Sequence, residues 1–316
     1  MRKAREALQF DPNASVVRSH CHSAFNGPWS GYGQPERAEF LKLAFRLADF
    51  AGIEIIAFSV QPSHFDLMVD CPRVVNLTRD GMMQRLEKLM DPVTFGQKKD
   101  TLTRNNKEAW GQLSSRFGNV SNFIKQLKQM SARNYHKLRG SRGGLWLDRY
   151  DRSFVQVGHA SQILNAWYDH SSMRAGLTST VDEDRFSTFG SAVAGNDRAR
   201  KMITRLYGTP GESQTWRQVA QAYRQFIASD TPPETARQGK SETPLLTRPE
   251  FLMTDVPQIR GGLIFGDKAF ADAFFELNRG QFHPNRPRGG HCIHGQNDPD
   301  LWTFRQKIDL RKLLLL

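Results

Sequence analysis

The sequence predicts an α+β protein: a mostly antiparallel sheet of the ferredoxin-like kind with its helices, followed by a mainly helical C-terminal extension. Three observations predict it. Residues 15–70 alternate as strand, helix, strand, strand; residues 121–172 continue as helix, strand, helix; and a Pro-, Thr- and charge-rich stretch over 229–250 has the composition of a linker. The boundary falls at about residue 180, giving a sheet domain over 1–180 and an extension over 181–316.

The first strand is "SVVRSHCHSAF" (15–25). The helix "PERAEFLKLAFRLADFAG" (35–52) opens on Pro35, closes on Gly52 and repeats Phe40, Leu41, Ala44, Leu47 and Ala48 at helical spacing. "IEIIAFSV" and "HFDLMVD" read as two strands joined across Pro62 and Ser63. Residues 76–90 have a helical pattern, whereas 91–120, polar with scattered Gly and Asn, read as a surface loop insertion. "SNFIKQLKQMSARNYHKLRG" (121–140) is an amphipathic helix ended by Gly140, with Phe123, Ile124, Leu127 and Met130 on one side. "YDRSFVQV" then reads as a strand and "ASQILNAWYDHSS" as a helix. Beyond 180, "ARKMITRLYG", "WRQVAQAYRQFIAS" and "GDKAFADAFFELNRG" read as helices, with "RGGLIFG" a turn before the last.

Lys and Arg number 44 against 32 acidic residues, a net charge of +12, which fits either a polyanion partner, nucleic acid first, or a merely soluble basic protein. The cysteines Cys21, Cys71 and Cys292 are far apart, with no CxxC spacing for a zinc ribbon or redox pair. No stretch is apolar enough to span a bilayer, and the chain reads as cytoplasmic, without a membrane partner. His64 and Asp66 stand two apart on a strand and share a face, the pattern of a cation site or of an ordinary hydrogen-bonded pair. His20 and His22 repeat that alternation on the neighbouring strand. The basic residues of the 121–140 helix read equally as a solvated face or a phosphate-binding one.

Several segments, in order, resemble the REP-associated tyrosine transposases of the single-strand HUH superfamily. "SVQPSHFDLMVDCP" is similar to that family's strand-borne "MPNHFHLLV" segment. "NFIKQLKQMSARNYHKLRGSRGGLWLDRYDRSFVQV" is similar to its long helix-to-strand block, and "AWYDHSSMRAGL" to "AYIDLNPVRAGL". The resemblance implies a ferredoxin-like domain that binds single-stranded or hairpin DNA. It further implies a divalent metal, Mg²⁺ or Mn²⁺, and strand cleavage and joining through a phosphotyrosine. Family members include monomers and homodimers.

Carried over by position, the resemblance puts metal binding on His64 and Asp66, with Asp66 where the family has its second histidine. The nucleophile position falls on Trp167, and Tyr168 immediately follows it. One helical residue is a rotation of about 100°, so Tyr168 is expected at the edge of the inward side defined by Ile163, Leu164 and Trp167. The third ligand position falls on Ser171; Asp169 and His170 read as exposed or capping residues. Tyr135 reads as a core or stacking residue, and Trp146 as core. Lys125, Lys128, Arg133, Lys137, Arg142, Arg149 and Arg152 lie in the block most like the family and are the expected DNA-phosphate contacts. The alternative is a domesticated, catalytically silent DNA-binding protein.

Overall fold

The computed structural model describes residues 17–26, 32–71, 77–103, 107–229, 247–282, 285–286, 289–293 and 301–305. In chain order the elements are β1 (Val17–Ala24), α1 (Gln34–Ala51), β2 (Glu54–Val60), β3 (His64–Asp70), α2 (Arg79–Leu89), α3 (Pro92–Thr103), α4 (Lys107–Ser114), α5 (Val120–Arg139), β4 (Asp151–Gln156), α6 (His159–Asp169) and α7 (Ser171–Arg174). They continue with α8 (Thr188–Val193), α9 (Asp197–Tyr207), α10 (Trp216–Ala228), α11 (Arg248–Met253), α12 (Pro257–Gly261), β5 (Gly262–Gly266), α13 (Lys268–Leu277), β6 (His291–Cys292) and β7 (Trp302–Arg305). Among the described residues no helix is long and apolar enough to cross a membrane.

The result is a mixed α+β fold on a seven-stranded sheet ordered β2-β3-β1-β4-β5-β7-β6. β2, β3, β1 and β4 pair antiparallel, whereas β5 joins β4 in parallel, with Phe154 opposite Ile264. Residues directly opposite across an antiparallel pair share a face. The register sets His22 opposite Asp66 and Ala24 opposite His64, so the two polar alternations point to the same side of the sheet.

Each face of the sheet carries its own core. On one side Cys21, Phe65, Leu67 and Val69 pack under Phe40, Leu43 and Leu47 of α1 and Phe123, Ile124 and Leu127 of α5. The face that bears the histidines is covered instead by α6 and by segments beyond residue 180. Ile56, Met68 and Val155 there meet Ile163, Leu164, Trp167 and Tyr168, then Phe189, Ile203, Val219, Tyr223, Phe251 and Phe265. A third cluster joins Phe154 and Ile264 to Phe270, Phe274, Phe275 and Phe304. The outer edge of β2 is closed by the segment before α8: Val60 N–H donates to Phe186 O at 2.9 Å, and Thr188 Oγ both accepts from Phe58 N and donates to Phe58 O. Covering an edge in this way blocks sheet-to-sheet association.

Two expectations are corrected. Residues 91–120 are not a loop, because α3 and α4 occupy most of them. Gly96 and Gly111 are tolerated inside those helices, where a Cβ would meet nothing, while Leu102 and Leu113 are buried in the first core. "RGGLIFG" is no turn, because β5 runs through it and all five of its residues are buried. Gly266 closes that strand because a Cβ there would lie 2.3 Å from the Phe270 ring and 2.7 Å from Gln156 Oε1. The extension, which carries α8 to α13, also gives three strands to the common sheet and much of the second core. The linker expected near 229–250 falls, from 230 to 246, outside the described residues.

Candidate active site at the β1, β3 and α6 junction

Asp66 stands at the centre of a buried polar cluster built by β1 and β3. Its Oδ1 lies 2.8 Å from His22 Nδ1, and its Oδ2 lies 3.3 Å from His64 Nε2. His20 Nε2 is 4.0 Å from Asp66 Oδ1. His64 Nε2 also lies 3.2 Å from Ser171 Oγ at the start of α7. The His22 and His64 rings are 5.4 Å apart. Their side chains keep 10% and 13% of their surface in solvent, against none for Asp66 and His20, so the cluster opens outward through those two rings.

Tyr168 closes the cluster from the other side. Its phenol hydrogen-bonds His20 Nδ1, and the residue is fully buried. The expectation that Tyr168 sits at the helix edge and Trp167 faces inward is therefore corrected. Every residue of α6 from Ile163 to Asp169 is buried, so the helix has no outer edge in this region. Tyr168 faces β1, while Trp167 turns toward α11 and α12 and donates Nε1–H to Thr254 O at 3.2 Å.

Asp169 and His170, read as exposed or capping, are buried. Asp169 accepts from Phe189 N at 2.9 Å, Tyr223 Oη at 2.9 Å and Asn165 Nδ2 at 2.9 Å, and so ties α6 to α8 and α10. His170 donates Nδ1–H to Ala166 O at 2.7 Å. The sequence carried no signal for the Asp169 network, because its partners lie 20 and 54 residues away.

The electrostatics follow from burial set against partners. Burial opposes ionisation of Asp66, but the charge and hydrogen bonds of His22 and His64 outweigh it and hold the carboxyl well below its usual range. Burial lowers His20 to about 4, with Asp66 opposing, so its imidazole is neutral. Burial, then the Asp66 charge, raises the Tyr168 phenol well above its ordinary value. Burial raises Asp169 to about 7, opposed by hydrogen bonds from Phe189, Tyr223 and Ser187 and aided by the Asp184 charge. Among the described residues no group of three or more His, Cys, Asp and Glu is arranged to hold a metal ion; the His22 and His64 imidazoles are engaged with Asp66 instead.

The structure thus brings His64, Asp66, Tyr168 and Ser171 together and adds His20 and His22, which the β1 alternation pointed to. The basic residues divide. Lys125, Arg133, Lys137, Arg142 and Arg149 are exposed. Lys128 is half-buried, with its ammonium on Asp148 O and 5.4 Å from the Trp146 ring centroid. Arg152 donates to Ser19 Oγ at 2.9 Å and lies 4.7 Å from the Phe154 ring centroid. α5 packs on the sheet face opposite the cluster. The loop bearing Arg142 and Arg149 is different: Asn26 N–H donates to Leu145 O at 2.9 Å and Leu147 N–H to Ala24 O at 3.1 Å, at the strand end that pairs with His64. Tyr135 packs near Tyr32 at 5.8 Å, and Trp146 stacks on Phe25 at 4.3 Å, both in the first core.

No protein-family model matches the chain, and no curated protein does. Among solved structures, it is similar to a REP-associated tyrosine transposase bound to a REP hairpin. The identity is 12% over 62% of this chain and 87% of that chain, with a TM-score of 0.40. At that distance the likeness decides neither fold nor activity.

Proposed function

We propose that the chain is a DNA-binding protein of the HUH tyrosine transposase kind, acting on single-stranded or hairpin DNA by cleavage and rejoining through Tyr168. The observation that carries this reading is the convergence of Tyr168 with His20, His22, His64 and Asp66 in one connected cluster. The strand order β4-β1-β3-β2, with α1 and α5 in the crossovers, supports it as the order of a ferredoxin-like unit.

In the proposed step the Tyr168 oxygen forms a bond to a backbone phosphorus, and the 3′-oxygen of the broken strand leaves with the electron pair. His20 Nδ1, already bonded to the phenol, is positioned to receive its proton, and Asp66 then faces the resulting imidazolium. The reverse step restores the phosphodiester and returns the proton to Tyr168.

Imidazole and carboxylate donors of the type that His64 and Asp66 supply suit Mg²⁺ or Mn²⁺, and Asp66 Oδ2 is buried without a hydrogen bond of normal geometry. The residues that would hold such an ion are His64 and Asp66. When bound, it supplies charge neutralisation at the phosphate and at the leaving oxygen. Arg142 and Arg149, at the adjoining strand end, are the basic residues best placed to hold the flanking backbone, and Lys125, Arg133 and Lys137 extend the positive surface along α5.

One observation favours a second reading, a silent DNA-binding protein: Tyr168 has no exposed surface, so a strand reaches it only if α6 or α7 moves. Cleavage of a labelled hairpin oligonucleotide with and without Mn²⁺ separates the two readings. Metal-dependent nicking lost in Asp66→Ala supports the enzyme. Tight binding without nicking in the wild type supports the silent protein.

A further inference from the structure

Two guanidinium groups meet at Trp167. Arg174 of α7 lies 3.9 Å from the ring centroid and donates Nη1–H to Leu252 O at 2.6 Å. Arg260 of α12 lies 5.8 Å from the same centroid and pairs with Asp255 at 3.2 Å. Each keeps a buried donor without a partner, Arg174 Nη2 and Arg260 Nε. Like charges gathered at one ring repel, and an unmatched buried N–H costs free energy; one anion shared between the two forks relieves both.

The pair adjoins the cluster on two sides. Ser171, one turn before Arg174, is bonded to His64, and Arg174 is within electrostatic reach of Asp66. Ile259, next to Arg260, presents its backbone to His20, and the Arg260 charge also reaches that imidazole. Asp66 and Asp255 are the acidic groups that face the pair. Burial, opposed by Asp66 and aided by Arg260, lowers Arg174 to about 10, a value that a bound anion would raise. The Arg260 side chain keeps 36% of its surface in solvent, so the outer side of the pair is reached through Arg260.

We infer that Arg174 and Arg260 form a fork that binds a phosphate group beside the His22, His64 and Asp66 cluster. Taking that phosphate as a DNA phosphodiester rests on the function proposed above; phosphate binding by the pair does not. Because α12 lies beyond residue 180, the extension then completes the site and is not an appendage to it.

The test compares the full-length wild type with Arg260→Gln and Arg174→Gln in two measurements: thermal unfolding with and without inorganic phosphate, and binding of a single-stranded hairpin oligonucleotide across a salt series. Arg174→Lys, which keeps the charge and the packing stem, serves if Arg174→Gln does not fold. Expected for Arg260→Gln are loss of the phosphate-induced rise in Tm, hairpin binding weaker by about tenfold, and a salt slope reduced by about 0.7. If the phosphate effect depends on the pair while hairpin binding is absent or unchanged, the ligand is free phosphate, and it is the DNA reading of this site that fails. Variants that match the wild type in both measurements overturn the inference.

Discussion

Asp66 and Asp169 are both fully buried carboxylates, and their surroundings drive them in opposite directions. Asp66 faces imidazoles and is held ionised, whereas Asp169 is raised to about 7 by burial, with neutral hydrogen-bond donors opposing and the Asp184 charge adding to it. Between pH 4 and 7 the Asp169 carboxyl keeps its proton in the fold, while the unfolded chain has lost it. Its contribution to stability therefore falls as pH rises through that window and is flat above it. His20 and His170, each lowered to about 4 by burial, act oppositely, adding stability as pH rises from about 4 to 6.5. Replacing Asp169 by Asn removes only the first effect, so the gain in stability from pH 5 to pH 8 should be larger in the variant by about 2 to 3 kcal/mol, measured by urea unfolding. An identical pH dependence in variant and wild type would contradict the assignment. Tyr168→Phe keeps the ring in its core and strips His20 Nδ1 of its partner; it should cost about 1 to 3 kcal/mol in the same measurement at pH 7. At this scale the sequence was informative where chemistry repeats along one strand: His20, His22, His64 and Asp66 are all visible as alternations. It was silent on Arg260 and on the Asp169 partners, which only the chain's return brings near.

The helices show the same division. α5 was legible because one of its faces is solvated, and the apolar stripe at Phe123, Ile124 and Leu127 marks the side that meets the sheet. α6 was legible as a helix but its rotation was not, because the polar residues Asn165 and Asp169 on it are buried along with the apolar ones and do not mark a solvent side. Asp169, about 100° round the helix from Tyr168, ties α6 to α8 and α10. β5 escaped notice because its apolar run is short and framed by glycines. The basic residues of α5 now separate by role. A Lys125→Gln, Arg133→Gln, Lys137→Gln variant should fold with each change costing within about 0.5 kcal/mol and should lower the salt slope of hairpin binding by about 2. Lys128→Gln, which removes an ammonium bonded to Asp148 O, should instead lower Tm while leaving the salt slope unchanged. Equal slopes for the triple variant and the wild type would remove α5 from the DNA surface.

Across the whole molecule, the sheet that the first 180 residues begin is completed by the last 60. The core on the face bearing the cluster, which holds Ile56, Met68, Val155, Ile163 and Trp167, is shared with Phe189, Ile203, Val219, Tyr223, Phe251 and Phe265 from beyond residue 180. A chain ended at residue 180 should therefore bind a hydrophobic dye and unfold without cooperativity; a cooperative, dye-silent fragment would show that the first domain stands alone. The alternation of strands and helices over the first 180 residues was readable from sequence patterns, whereas the joining of β5 to β4 depends on a contact more than 100 residues long. The proposed chemistry turns on one atom, the Tyr168 phenolic oxygen. Its role is tested most directly by incubating the protein with labelled single-stranded hairpin DNA and Mn²⁺, denaturing the mixture, and resolving labelled protein by electrophoresis. A covalent adduct that forms with wild type and disappears in Tyr168→Phe is the predicted result; tight binding with no adduct, or an adduct that persists in Tyr168→Phe, would contradict it.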